Sequence, residues 1–299
     1  MKNWTALKSD FINYLKIERG LAENSVKNYA FDIEKLIDFL DENDMKLSPE
    51  NISTQDLQEF LYQTAKKHSS KTQARLISGL RNFFDYLVFE DYRKDNPLEL
   101  TEAPKTPQRL PDVLSEEEID KLLKAIDLNH PQGERNYTIL ETLYSCGLRV
   151  SELTSLRISD LFFEEGFIKI EGKGSKERLV PVGEKLIELI KNYLTGTRSN
   201  QPVKKGQEDI LFLNRRGNQL TRAMIFTITK NLAKKIDLQK RISPHTFRHS
   251  FATHLLQNGA DLRAIQQMLG HENIVTTEIY LDVDRSFLRQ VIEKYHPRN

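Results

Sequence analysis

Pro97, Pro104, Pro107 and Pro111 fall close together within the first half of the chain. Each fixes its own φ, lacks the N–H that a helix needs, and biases the residue before it toward extended backbone. No helix can run through residues 96–111, so the chain must divide there into separately packed bodies. Its 299 residues are long for one compact domain and comfortable for two. The expected division is 1–105 and 106–299, with the proline segment as an extended linker.

Ahead of the linker, apolar residues keep helical spacing: Phe11, Tyr14 and Leu15, then Ile33, Leu36, Ile37 and Leu40. Ser53-Thr54 and Ser69-Ser70 are helix starts in front of Leu57, Phe60 and Leu61, and of Leu76, Leu80, Phe83, Phe84 and Leu87. Four or five helices are expected. Beyond the linker, Ser115 with Glu118 forms a capping box that opens a new helix. Helical patterning then continues with one exception. Phe167–Ile170 and Arg178–Val182 flank Gly172-Lys173-Gly174-Ser175-Lys176, which reads as a hairpin with lysines on a glycine-rich turn. The fold class expected is mainly α: an N-terminal helical bundle plus a mostly helical second domain with a small antiparallel β-sheet.

Lys and Arg number 44 against 43 Asp and Glu, so overall charge gives no pull toward nucleic acid. The distribution differs. Lys66, Lys67, Lys71, Arg75 and Arg81 lie between Phe60 and Phe84 with no acid among them. Arg215, Arg216, Arg222, Lys230, Lys234, Lys235, Lys240, Arg241, Arg248 and Arg263 lie between Asn214 and His271 against only Asp237 and Asp261. Such segregation either presents a basic face to phosphates or marks solvated helix faces. Residues 1–6 lack the apolar stretch of a secretory signal, and no run of about 18 apolar residues exists to insert into a membrane. The single cysteine, Cys146, cannot form an internal disulfide, which suits a reducing cytoplasm.

The chemistry-bearing segment is Ser243-Pro244-His245-Thr246-Phe247-Arg248-His249. Ser243 suits an N-cap and Pro244 the first helical position. His245 and Arg248, three apart, then project from one side near a helix N-terminus, where a phosphate is well received. Two other readings stay open on this stretch alone. His245 and His249 have the spacing of a metal pair, and residues 255–269, turning at Gly259-Ala260-Asp261, have a helix-turn-helix rhythm.

Taken in order, the chain shows Gly147-Leu148-Arg149-Val150-Ser151-Glu152-Leu153, Lys173 on its hairpin, His245-Thr246-Phe247-Arg248, Leu269-Gly270-His271, and then Tyr280. This order resembles the tyrosine recombinase (phage-integrase) family in its Xer branch. The resemblance covers nearly the whole chain, including Glu18-Arg19-Gly20-Leu21 and Asn28-Tyr29. Arg109-Leu110-Pro111-Asp112-Val113-Leu114-Ser115 leans toward the XerD-like type. By resemblance, Arg149, Lys173, His245, Arg248, His271 and Tyr280 are catalytic, with Tyr280 the nucleophile. Glu152, three residues from Arg149, reads as a partner that orients it.

Those assignments make chemical sense. A phosphodiester under attack gathers negative charge on its non-bridging oxygens, and two arginines can clamp them with paired donors. Tyrosine, with a pKa near 10, must lose its proton to attack, and His245 is a fit acceptor. His271 suits a hydrogen bond to phosphate, and Lys173 a proton delivered to the leaving 5′ oxygen. The bond energy is kept in a 3′-phosphotyrosine, so no metal, ATP or other cofactor is expected.

The resemblance further implies a two-domain clamp around double-stranded DNA: a core-binding domain over 1–105 and a catalytic domain over 106–299. Lys71 and Arg75 would meet phosphates from one side, and Arg215, Arg222, Lys230, Lys234 and Arg241 from the other. Phe287, Leu288, Val291, Ile292 and Tyr295 form an amphipathic helix, which either folds on its own domain or, as in the family, docks in a neighbouring protomer. The implied partners are a paralogous Xer-type recombinase in a tetramer on paired DNA sites, with a septal DNA translocase as a candidate regulator. The implied role is resolution of chromosome dimers at a dif-like site during segregation and cell division, in the cytoplasm. Three rivals are a non-catalytic helix-turn-helix-like regulator, a type IB topoisomerase, and the integrase of a mobile element.

Overall fold

The computed structural model describes residues 3–104, 112–172, 177–270 and 283–298. It separates into two compact units, Met1–Arg109 and Leu110–Asn299. Both are mainly helical, and the second carries a three-stranded antiparallel sheet. No helix among the described residues is long and apolar enough to cross a membrane.

The first unit contains α1 (Trp4–Ile17), α2 (Glu23–Glu42), α3 (Thr54–Lys67) and α4 (Ser70–Phe89). The serine caps form as the sequence predicts. Asp56 accepts from the Ser53 N–H at 2.9 Å and donates its own N–H to Ser53 Oγ at 3.2 Å, which satisfies donors that the first turn of α3 leaves without helical partners. Ser69 Oγ accepts from the Thr72 N–H at the start of α4. Leu7, Phe11, Ile33, Leu36, Leu57, Leu80 and Phe83 meet in one apolar core. Inside it, Asp32 of α2 is 1% exposed and accepts from both terminal nitrogens of Arg75 on α4, at 2.6 and 2.7 Å. A Cβ at Gly79 would collide with the Asp32 carboxylate, so glycine is needed where α2 lies closest to α4.

The second unit opens with α5 (Glu116–Lys124), capped by Ser115 and Glu118 as expected, followed by α6 (Gly133–Cys146) and α7 (Val150–Ser155). The sheet is β1 (Leu161–Phe162), β2 (Phe167–Glu171) and β3 (Glu177–Pro181), paired in that order. The hairpin predicted from the sequence is β2–β3, with Ile168 opposite Val180 and Ile170 opposite Arg178. After it come α8 (Glu184–Tyr193), α9 (Arg222–Lys235), α10 (Pro244–Gln257), α11 (Leu262–Leu269) and α12 (Val283–Tyr295). α6 runs through the core and is almost wholly buried, with α10 and α8 packed against it.

α12 packs on its own unit. Leu288, Val291 and Ile292 are buried in the common core, and Asn258 Nδ2 donates to the Tyr295 carbonyl at 2.8 Å. The residues after it are anchored too. Arg298 reaches Asp120 at 2.5 Å and Glu141 at 3.3 Å. The His296 ring lies 5.0 Å from Tyr144 and 5.4 Å from Phe251. Burial pushes the His296 pKa down to about 3, so the ring is neutral where it sits. Of the two placements open to the tail in the sequence, the single chain takes the one on its own domain. The reason is the apolar stripe, which is covered by the nearest matching surface.

Candidate active site

The site is assembled where α6 ends. Gly147 caps that helix at φ 57, ψ 31, a left-handed conformation that costs glycine little. A Cβ there would stand 2.5 Å from Phe251 Cδ1, so glycine also lets α10 approach. Arg248, one turn before Phe251 on α10, consequently reaches the Gly147 carbonyl with Nη1 at 2.7 Å. The next turn of chain places Arg149. It caps α7 in extended backbone, φ −69, ψ 149. Its N–H donates to Glu152 Oε2 at 2.8 Å and its Nη1 to Glu152 Oε1 at 2.8 Å. The i,i+3 pairing of Arg149 with Glu152 expected from the sequence is present in the structure.

The Glu152 carboxylate also serves Arg178, a residue that sequence reasoning missed. Arg178 Nη1 and Nη2 donate to Glu152 Oε1 and Oε2, each at 2.8 Å, as a paired fork. A signal was available. Directly opposed residues of an antiparallel pair share a face, and Arg178 stands opposite buried Ile170 as Val180 stands opposite buried Ile168. Period-2 alternation therefore turns Arg178 toward the core, where a guanidinium must find a carboxylate.

The arginines converge again at the C-terminus of α11. Arg178 Nε donates to the Met268 carbonyl at 2.8 Å, Arg248 Nη2 to that of Leu269, and Arg149 Nη2 to that of Gly270 at 3.2 Å. These consecutive carbonyls lack helical partners at a helix end, and carry its partial negative charge. Each takes a different arginine.

The electrostatics follow. Burial alone would push the Glu152 carboxyl up, but hydrogen bonds and charge from Arg178 and Arg149 outweigh it and hold it below the ordinary range. For Arg248, burial and then the neighbouring charge of Arg149 lower the pKa to about 10, against the pull of Glu152. It stays protonated in a field that is net positive. His245 is exposed at the start of α10. Partial loss of solvation, then the charges of His249, Arg248 and Arg149, lower its pKa, which favours the neutral imidazole that can accept a proton. Arg149 keeps 38% of its side chain exposed, so donors remain on the solvent side. A cluster of hydrogen-bonded arginines, with a histidine beside it whose lowered pKa favours the neutral ring, can bind a phosphate and take a proton from an attacking hydroxyl.

Ser243 and Pro244 start α10 as predicted, with the Ser243 N–H donating to Thr246 Oγ1 at 3.0 Å. The helix-turn-helix rhythm is real as local shape, since α10 and α11 join through Gly259 at φ 98. His249 is exposed, whereas His254 is buried and shares a 2.7 Å hydrogen bond with the Tyr144 hydroxyl. Cys146 is buried beside the site, and burial raises its thiol pKa. Lys173, His271 and Tyr280 lie outside the described residues.

Of the residues expected to meet DNA, Lys71, Arg215, Arg222, Lys230, Lys234 and Arg241 are all exposed. Arg75 is exposed as well, but both its terminal nitrogens are engaged by Asp32.

Comparison with known proteins gives a consistent picture. Residues 112–286 match the model of the phage integrase family, and residues 9–91 match that of the phage integrase N-terminal SAM-like domain. The chain is 42% identical to the tyrosine recombinase XerD of Oceanobacillus iheyensis over 97% of both chains. It is 40% identical to that of Listeria innocua over 98% of this chain and 99% of that protein. Among solved structures it is similar to XerH site-specific recombinase bound to palindromic difH substrate in a post-cleavage complex. There the identity is 29% and the TM-score 0.69, covering 88% of this chain and 78% of that one.

Proposed function

Because this chain belongs to the phage integrase family and is a tyrosine recombinase, we propose that Tyr280 attacks a DNA phosphodiester to give a 3′-phosphotyrosine and a free 5′-hydroxyl. Rejoining is the same chemistry run backwards on a new 5′-hydroxyl. The observation that carries the residue assignment is the pocket in which Arg149 and Arg248 are held together by Glu152 and the end of α11. Arg149 and Arg248 take the non-bridging oxygens as charge builds on them, and losing one such donor costs roughly 10²–10³ in rate. His245, neutral for the reasons given, accepts the Tyr280 proton. His271 donates a hydrogen bond to the phosphate. Lys173 protonates the departing 5′ oxygen, a role worth about 10²–10⁴.

Lys71, Arg215, Arg222, Lys230, Lys234 and Arg241 hold DNA phosphates, and Arg75 adds to them through the donors that Asp32 leaves free. Contacts of this kind position the duplex without reading it, so binding weakens steeply with salt. The target is a dif-like site, by analogy with the difH complex of the XerH relative. The cellular role is resolution of chromosome dimers in the cytoplasm, within a tetramer that includes a paralogous recombinase and answers to a septal translocase. In that assembly α12 leaves its own unit for a neighbour, and its anchors at Arg298 and His296 must release. Residues 1–105 and 106–299 act as the two halves of a clamp on the duplex.

The test is trapping on nicked suicide duplexes carrying a dif-like site, in EDTA, beside Tyr280→Phe. An SDS-resistant protein–DNA adduct that disappears in the variant supports the reading. Tight binding without any adduct, even with a partner recombinase added, overturns it in favour of a non-catalytic DNA-binding protein.

A further inference from the structure

The residue with the most telling position in the second unit is one that the mechanism above leaves unused. Arg178 is exposed over only 13% of its side chain, and three of its nitrogens are committed. Two fork onto the Glu152 carboxylate and the third holds the Met268 carbonyl. Gly270, which caps α11 at φ 66, lies against its stem: a Cβ there would be 3.1 Å from Arg178 Cδ. Arg178 therefore touches the support of Arg149 from two directions, since Arg149 itself leans on Glu152 and on the Gly270 carbonyl.

We infer that Arg178 is a positioning residue for strand cleavage, holding Glu152 and the end of α11 so that Arg149 meets the phosphate in one fixed orientation and with its charge uncancelled.

Glu152 and Arg149 alone would make a one-to-one ion pair three residues apart, and the carboxylate would offset the charge that Arg149 must show to phosphate. With Arg178 paired to both carboxylate oxygens, the group of Arg149, Arg178, Arg248 and Glu152 keeps a surplus of positive charge. Arg248 registers that surplus, since both Arg149 and Arg178 act to lower its pKa. The fork fixes the plane of the Glu152 carboxylate, and a carboxylate held in one plane offers Arg149 one place to sit. A lysine has the charge but not the fork. Misplacing a clamp by about 1 Å can cost on the order of 10²-fold in rate.

The inference rests on the proposed role of Arg149. It is tested by single-turnover cleavage of the nicked dif-like duplex at saturating protein. Arg178→Ala, Arg178→Lys, Arg149→Ala, the double variant Arg149→Ala/Arg178→Ala and Tyr280→Phe are compared, with duplex affinity and thermal unfolding measured on each. Arg178→Ala is expected to slow cleavage about 10- to 100-fold while duplex affinity changes by less than about twofold. The double variant is expected to cleave no more slowly than Arg149→Ala, because a residue acting through Arg149 has nothing left to act on. Arg178→Lys keeps the charge and most of the bulk, and still loses most of the rate.

A wild-type rate in either Arg178 variant overturns the inference, as does a loss that multiplies unchanged in the Arg149→Ala background. Should Arg178→Ala fail to fold, Arg178→Lys decides alone. A Tyr280-dependent adduct together with a wild-type rate for the Arg178 variants sinks the inference and leaves the proposed function standing. No Tyr280-dependent adduct from the wild-type protein sinks both.

Discussion

Asp32 in the first unit and Glu152 in the second are carboxylates buried against arginine, and the two end in opposite states. Asp32 is 1% exposed and Glu152 5%, and each receives a guanidinium fork. For Asp32 burial dominates and its pKa is raised, despite Arg75. For Glu152 burial is outweighed and its pKa is lowered. The difference lies in the number of donors. Asp32 has a single arginine, whose side chain is 43% exposed to competing water. Glu152 has the Arg178 fork, the Arg149 guanidinium and the Arg149 N–H, with Arg248 at 4.0 Å. One partly solvated pair does not make up for desolvation, whereas a shared carboxylate among several cations does. The first arrangement joins two helices. The second leaves positive charge over for a ligand.

The largest break in this comparison comes from Glu152→Ala. It leaves Arg149, Arg178 and Arg248 facing one another without a counter-ion, and the expected loss is about 3–5 kcal/mol. Denaturant unfolding checks this, with cleavage reduced in parallel. The matching insult in the first unit is Gly79→Ala, whose Cβ would meet the Asp32 carboxylate. Overpacking of this kind costs about 1–3 kcal/mol, read as a lower unfolding midpoint at unchanged slope.

The smallest effect is expected for Asp32→Asn, within about 1 kcal/mol at pH 7, because the amide avoids desolvation of an ion while still accepting from Arg75. Its value lies in the pH profile. Asp32 has a folded pKa above its ordinary 3.8, so its contribution to stability is complete below that pH and is lost as pH rises through the folded value. Glu152 has a folded pKa below its ordinary 4.5, so its contribution is present above that pH and is lost as pH falls through the folded value. Difference profiles of wild type against Asp32→Asn and against Glu152→Gln should therefore slope in opposite directions, the first losing stability as pH rises above 3.8 and the second as pH falls below 4.5. Parallel profiles would erase the distinction between the two carboxylates.

Much of this is legible in the sequence. The helix starts at Ser53, Ser69, Ser115 and Ser243 and the β2–β3 hairpin all rest on interactions within a few residues. They are written locally and can be read locally. Arg149 with Glu152 belongs to the same class, being an i,i+3 pair at a helix start. The order of Arg149, Lys173, His245, Arg248, His271 and Tyr280 was enough to point to the family, since each motif is a short string.

The tertiary structure alone decided which distant groups meet. Nothing near Asp32 in sequence announces Arg75 as its partner, and Arg75 read alone looked like one more basic residue on a helix face. Nothing near Met268, Leu269 and Gly270 announces that their carbonyls take donors from β3, α10 and the start of α7. Alternation with Val180 turns Arg178 inward, but only the fold shows that Glu152 and the Met268 carbonyl receive it. A buried charge takes the partner that packing brings within hydrogen-bond reach, and packing is a property of the whole chain. The local sequence determined where helices and strands begin, while the tertiary contacts determined which arginines share Glu152.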